Sequence, residues 1–287
     1  MIIQFILKRS YKEKIKKVIT SWVICWGFVC GGMAYSAEAV LKVGIVPQFE
    51  QRQLFRNWKP ILTELEKLTN LKFELIGSSR IPVFEKEFNK GNYDMAYMNP
   101  YHALKAYDSQ NYIPLVRDNR NLKGILVVNK NSGVKSIQQL ANKTIAFPSA
   151  NALGASLIIR SVLSEKYGIK FTPRYVQTHS SVYLHIAKNL VAAGGGVDRT
   201  FSRQPKMLKD ELNIIYKSPE IVSHPIVIHP RVNNKTREII RAALLKLFNT
   251  KKGKVLFENV PMKNMVTTRI EDYKSIKNFN IDEYIEE

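Results

Sequence analysis

Cysteine is nearly absent: Cys25 and Cys30 are the only two in 287 residues, and both fall within the first 37. The rest of the chain can form no disulfide, offers no thiol nucleophile and cannot build a cysteine zinc site. Histidine is sparse, at five residues, and no His and Glu stand at metal-binding spacing. No serine lies in a nucleophile-elbow pattern. The sequence is therefore read as that of a non-catalytic protein, with no cofactor and no metal. Low-complexity segments and internal repeats are lacking as well. Acidic residues are the minority, 24 against 44 Lys and Arg, for a net charge of +20.

The first 37 residues stand apart. Lys8, Arg9, Lys12, Lys14, Lys16 and Lys17 make a basic start, and the stretch from Val18 to Ala37 carries no charge and is mostly apolar. Small residues at Ala34, Ser36, Ala37 and Ala39 offer cleavage sites. This is the pattern of a secretory signal peptide, and the chain is expected in the periplasm. Left uncut, the run of about 20 residues would be long enough to anchor the chain in a bilayer. Removing it takes away six basic residues and Glu13, so the mature chain keeps a charge of +15. The lysines are scattered over predicted helix faces, and no helix-turn-helix, zinc finger or aromatic-basic motif is present, so nucleic acid is not the expected partner. A basic surface that attracts small anions fits better.

The mature chain alternates strand and helix patterns, which predicts an α/β protein. Leu41 to Val46 reads as a first strand, followed by the loop Pro47 to Glu50 with Phe49. Leu54, Phe55, Trp58, Ile61, Leu62, Leu65 and Leu68 then form one apolar helix face, with Pro60 inside it. Strands are expected at 71–76, 92–98, 112–115, 123–130, 144–147, 171–176, 197–200, 212–216 and 221–229. Three junctions carry the functional argument. Strand 144–147 breaks at Pro148, and Ser149 and Asn151 are placed as helix caps before Ala152, Leu153 and Gly154. Strand 92–98 breaks at Asn99-Pro100-Tyr101. Strand 171–176 ends at Thr178, His179, Ser180 and Ser181, before a helix stopped by Gly194-Gly-Gly196. A helix start offers unpaired N–H groups and a positive dipole end, both favourable to an anion. Because α/β proteins bind ligands at the carboxyl ends of strands, the three junctions are expected to converge on one cleft. Asp198 and Arg199, after the glycine run, would hold the ligand or each other. The predicted organisation is residues 1–37 as signal peptide, 38–128 plus 225–287 as a first lobe, and 129–224 as an inserted second lobe.

The chain resembles the PhnD-like periplasmic binding proteins of phosphate, phosphite and phosphonate ABC transporters. The resemblance lies in an ordered set of segments: Val43-Gly-Ile-Val-Pro47, Trp58-Lys-Pro-Ile61, Gly91-Asn-Tyr-Asp-Met-Ala-Tyr97, Leu126-Val-Val-Asn-Lys130, Thr178-His-Ser-Ser181, Gly196-Val-Asp198 and Lys217-Ser-Pro219. It implies a type II periplasmic binding protein fold, two lobes each with a mixed sheet flanked by helices, joined by a two-strand hinge and closing on a ligand. Where the family carries Ser-x-Ser-Gly this chain has Asn151-Ala152-Leu153-Gly154, which leaves Asn151 and backbone N–H groups. His179 matches a family ligand residue, and Ser180 follows it where phosphonate binders have an acidic residue. Asp198 matches the acidic residue after the second lobe's last helix. The implied site comprises Phe49, Asn99, Tyr101, Ser149, Asn151, Ala152, Leu153, Gly154, Thr178, His179, Ser180, Ser181, Asp198 and Arg199. The implied ligand is a small oxyanion or organophosphorus compound. The implied partner is an ABC permease in the inner membrane, or alternatively a membrane sensor kinase, with the protein itself a monomer.

Overall fold

The computed structural model describes residues 40–286; the segment read as a signal peptide, with Cys25 and Cys30, lies outside them. The chain runs through β1 (Val40–Ile45), β2 (Lys72–Ile76), β3 (Met95–Tyr97) and β4 (Ile113–Asp118), then crosses at 119–121. It continues through β5 (Leu122–Asn129), β6 (Thr144–Phe147), β7 (Thr172–Tyr175), β8 (Ala193–Val197) and β9 (Leu212–Ile221). A second crossing at 222–224 leads back to β10 (Pro225–Ile228) and β11 (Met265–Thr267). Two mixed sheets result. One is six-stranded, in the order β11-β4-β10-β3-β1-β2, and the other five-stranded, in the order β7-β6-β8-β5-β9. In each, three parallel strands are followed by an antiparallel one from the far side of a crossing, β10 beside β3 and β5 beside β8. That arrangement sets the carboxyl ends of β1, β3, β6 and β8 along the edges where ligands bind in such sheets.

The strand 122–129 corrects one expectation. The sequence reading ended the first lobe at residue 128, but β5 pairs with β8 and β9 in the second sheet, so the chain leaves the first sheet before residue 122. A continuous apolar run shows that a strand is buried on both faces, not which sheet buries it.

The helix Gln51–Thr69 covers the first sheet with Leu54, Trp58, Ile61, Leu62 and Leu65. Each such burial contributes roughly 1.5–3 kcal/mol. Phe55 and Leu68, assigned to the same face, are 37% and 41% exposed and lie at its margins. The helix continues through Pro60 and ends where Asn70 turns left-handed at φ 56°.

The glycine run corrects another expectation. It does not stop a helix: Gly194, Gly195 and Gly196 are the middle of β8, and Asp198–Ser202 is a helical turn rather than a strand. The reason is packing from elsewhere in the chain. A Cβ on Gly195 would stand 1.9 Å from the Ala155 carbonyl oxygen, and one on Gly124 of β5 would stand 2.3 Å from that of Gly154. The start of the helix that follows β6 therefore rests directly on two strands at positions that carry no side chain. This helix spans Leu153–Leu157, Ile158–Ser161 and Val162–Lys166, and its first and last segments are wound as wider π turns.

Candidate functional site

The three junctions meet. A pocket between the sheets is lined by Val46, Gln48, Ile81, Asn99, Ala152, Leu153, Gly154, Ala155, His179, Val197 and His224. It is nearly shut, with about 20 Å³ open to a water-sized sphere, close to the room of one ordered water.

On one side is the helix start after β6. Neither Ser149 nor Asn151 caps it, and the cap position is Ala152. The amides of Leu153, Gly154 and Ala155 find no acceptor among the described residues, while Ser156 and Leu157 donate back to the Ala152 carbonyl at 2.7 and 3.3 Å. The glycine floor under this turn is what lets its bare amides lie this deep.

Facing them is His179, the first residue of the helix His179–Ala187. Its Nδ1 lies 3.1 Å from the Thr200 hydroxyl, itself 2.9 Å from the Tyr183 hydroxyl and donating to the Val197 carbonyl at 2.9 Å. This chain fixes the ring and leaves Nε2 without a partner among the described residues. Burial pushes the imidazole pKa down to about 3, so the ring is neutral near pH 7. The His179 amide donates to the Gln48 carbonyl at 3.2 Å, joining the two sides of the pocket.

Across from it, Gln48 sets its Nε2 3.2 Å from Nε2 of His224. An amide nitrogen only donates, so His224 accepts there and carries its proton on Nδ1. His224 stacks on Tyr97 at 5.5 Å, and burial, with Arg199 adding to it, holds its pKa well below the usual histidine range. Asn99 caps the helix Pro100–Gln110, its side chain accepting from the His102 amide at 2.8 Å. Its Nδ2 reaches the Asn151 carbonyl across the cleft at 3.4 Å. No Asp, Glu, Lys or Arg side chain lines the pocket.

The other anticipated residues stand elsewhere. Phe49 is buried in the core beside the first sheet. Tyr101 borders a neighbouring cavity with Lys105 and Glu85. Ser149 and Asn151 line a separate cavity with Arg80, Tyr175 and Glu286. Thr178 and Ser181 use their hydroxyls on each other and on the helix start, at 2.9 and 3.0 Å. Ser180 is approached by Gln204 at 3.4 Å. Asp198 accepts from the amides of Lys123 and Arg199 at 3.1 and 2.9 Å. Gln48, His224, Ile81 and Ala155 line the pocket without having been anticipated; the one available signal was that Gln48 follows a strand end.

Arg199 points to the hinge instead of the pocket. It donates to the carbonyls of Arg120, Asn121 and Pro261, and to the Asp118 carboxylate at 3.2 Å. Asp118 is the hub of both crossings. It accepts from Arg120 of the first crossing through backbone and side chain and from the Lys263 amide at 2.7 Å, while Ser223 of the second crossing donates to its carbonyl. Burial alone would raise its pKa, but the bonds from Arg120 and Lys263 and the charge of Arg199 outweigh that and hold the carboxylate below the usual range. Asp118→Asn keeps the shape and drops the charge. It is expected to lower unfolding free energy by about 2 kcal/mol in urea titrations near neutral pH. The lowered pKa means that this stability is present above the unfolded value near 3.8 and is lost as pH falls below it. The Asn variant is therefore expected to lose less on acidification below that value.

Two lobes around an interlobe pocket of backbone amides and uncharged donors define a type II periplasmic binding protein. Comparison with known proteins places the chain further. Residues 43–273 match the family described as ABC transporter, phosphonate, periplasmic substrate-binding protein, and the chain belongs to that family. It is 23% identical over 243 residues to the phosphonates-binding periplasmic protein of Escherichia coli (strain K12), covering 79% of this chain and 72% of that one. Its fold is that of PhnD1 from Prochlorococcus marinus (MIT 9301), solved in complex with methylphosphonate. The TM-score is 0.76 at 18% identity, with 84% of this chain and 96% of that one covered. A binding component of an ABC phosphonate transporter from Pseudomonas aeruginosa superposes with a TM-score of 0.77 at 15% identity, covering 84% and 85%. The family is one of substrate-binding transport proteins, not of enzymes.

Proposed function

We propose that the protein captures a small phosphonate or phosphite in the periplasm, released there by signal-peptide cleavage, and delivers it as a monomer to an ABC permease of the inner membrane. The observation that carries this reading is a set of uncharged donors, three of them backbone amides without an acceptor among the described residues, in a pocket that no Asp, Glu, Lys or Arg lines. The amides of Leu153, Gly154 and Ala155, the side chains of Gln48 and Asn99, and two neutral imidazoles surround a space walled otherwise by Val46, Ile81, Leu153 and Val197. Fixed dipoles in a water-poor site hold an oxyanion without a counter-charge. The apolar walls suit a ligand face bearing hydrogen or methyl, and no carboxylate lines the pocket to receive a ligand amine. Calorimetry should show hydrogen phosphite and methylphosphonate binding at least about tenfold more tightly than 2-aminoethylphosphonate, since a buried unpaired ammonium loses more than 1.4 kcal/mol. Phosphate, whose fourth oxygen would meet the apolar wall, is expected to bind more weakly than phosphite. Heat from none of these ligands, or tightest binding of the aminoalkyl compound, would overturn the ligand assignment.

A further inference from the structure

The segment from Asn280 to Glu286 does something that the binding function leaves unused. It leaves the helical stretch Ile270–Phe279, whose Tyr273 and Ile276 are buried in the core of the first half, by a left-handed turn at Asn280, φ 47°. It then crosses to the second half and binds the approach to the anion turn. Both amide atoms of Asn151 are taken: Nδ2 donates to the Glu286 carbonyl at 2.6 Å, and Oδ1 accepts from the Glu286 amide at 3.0 Å. Arg160, buried on the helix that starts at the pocket, donates to the Ala150 carbonyl at 3.0 Å, to the Tyr284 carbonyl and to the Glu286 carboxylate at 3.1 Å. Its guanidinium lies over the rings of Tyr175 and Tyr284, each 5.8 Å from the centroid. Tyr175 also donates to Glu286, and the Tyr284 hydroxyl donates to Glu165 at 2.6 Å.

We propose that residues 280–286 are a latch that fastens the closed cleft, and that Asn151 and Arg160 are positioning residues for the anion turn rather than ligand contacts. The inference rests on the reading of the cleft as an oxyanion site. The two crossings near Asp118 form the hinge; the strap is a third link between the halves. Its root is fixed in the first half, and its bonds to Asn151, Arg160, Tyr175 and Glu165 reach the second. Opening the cleft must either strip these bonds or swing the strap about Asn280. The latch therefore favours the closed form before ligand arrives, and losing it lowers the population competent to bind.

The test is the double substitution Tyr284→Ala with Glu286→Ala in the otherwise intact chain, which removes the ring over Arg160 and the carboxylate bonds to Arg160 and Tyr175; Glu286 is exposed, and Tyr284 is half-buried against the margin of the core. Small-angle scattering of the ligand-free protein should show a larger radius of gyration than the parent. Calorimetry with methylphosphonate should show a Kd raised at least about fivefold, the lower end of ordinary site coupling. Tyr284→Phe, which keeps the ring over Arg160 and loses only the bond to Glu165, should move both readouts less than the double substitution does. A change in thermal midpoint alone is what a merely structural role would give. Scattering identical to the parent's overturns the latch, and it does so whether or not the parent binds methylphosphonate. Failure of the parent to bind any oxyanion instead removes the ligand reading and leaves the scattering result to decide the latch.

Discussion

Gly195→Ala is expected to destabilise the protein by more than about 4 kcal/mol, at the far end of single-substitution effects, and to abolish ligand binding in whatever fraction folds. The added methyl would stand 1.9 Å from the Ala155 carbonyl oxygen and 2.7 Å from Cδ1 of Phe147. The nearer obstacle is backbone, so rotamer changes cannot relieve it. The helix must lift off the sheet, and the helix begins with the turn whose amides line the pocket. Gly124→Ala meets the Gly154 carbonyl oxygen at 2.3 Å and should act in the same direction. Gly133→Ala is the control: that glycine has φ 76° and nothing within 4 Å of the added atom, so only the left-handed backbone penalty of about 1–2 kcal/mol applies. Urea unfolding of the three variants, with methylphosphonate titrations of each, checks the order. A Gly195→Ala protein as stable as Gly133→Ala would show that the helix does not rest on β8 as described.

That glycine floor also marks where sequence reasoning stopped. The strand-turn-helix junctions were legible because their signals are local: alternating or continuous apolar runs, Pro148 and Pro100 as breaks, and a helical period after each. The convergence of residues 99, 152–154 and 179 followed from the general placement of sites at strand ends. Gly194 to Gly196 was misread as a helix stop because glycine ordinarily weakens strands. What selects it here is the close approach of Ala155, a fact of tertiary packing. Asn151 has the chemistry of a cap, but residue Glu286, 135 positions later, takes both of its amide atoms. Asp198 and Arg199 looked like ligand groups, and their partners Lys123, Asp118 and Asn121 lie some eighty positions earlier. His224 stood in a His-Pro pair that reads as a strand break, with nothing nearby to show that Gln48 would face it. Local chemistry predicted where polar groups gather; partners far along the chain decided which of them face the pocket.

The stability of the ligand-free protein is expected to fall by roughly 4 kcal/mol between about pH 7.5 and about pH 5, the linkage for two buried histidines at ~1.36 kcal/mol per pH unit each. His179 is held to about 3 by burial, and His224 is held well below its ordinary value by burial first and then by the charge of Arg199. In the unfolded chain both titrate near 6.5. Their folded pKa values are depressed, so as pH drops below 6.5 the unfolded state takes up protons that the folded state refuses. Stability is thus complete above that value and drains away as pH falls, for His179 down to about 3. His229, lowered by burial and by Arg231, adds in the same direction. The groups that could oppose this are remote or already paired: the Thr200 hydroxyl and Gln48 offer the two pocket rings no negative charge, and the Asp118 carboxylate is held by Arg120 and Arg199. Urea unfolding across this range should give a slope that approaches two protons toward pH 5, and His224→Gln should reduce that limit to about one. A slope near zero would mean that the rings are hydrated or charged in the folded protein, and an oxyanion would then meet cations in the pocket instead of fixed dipoles.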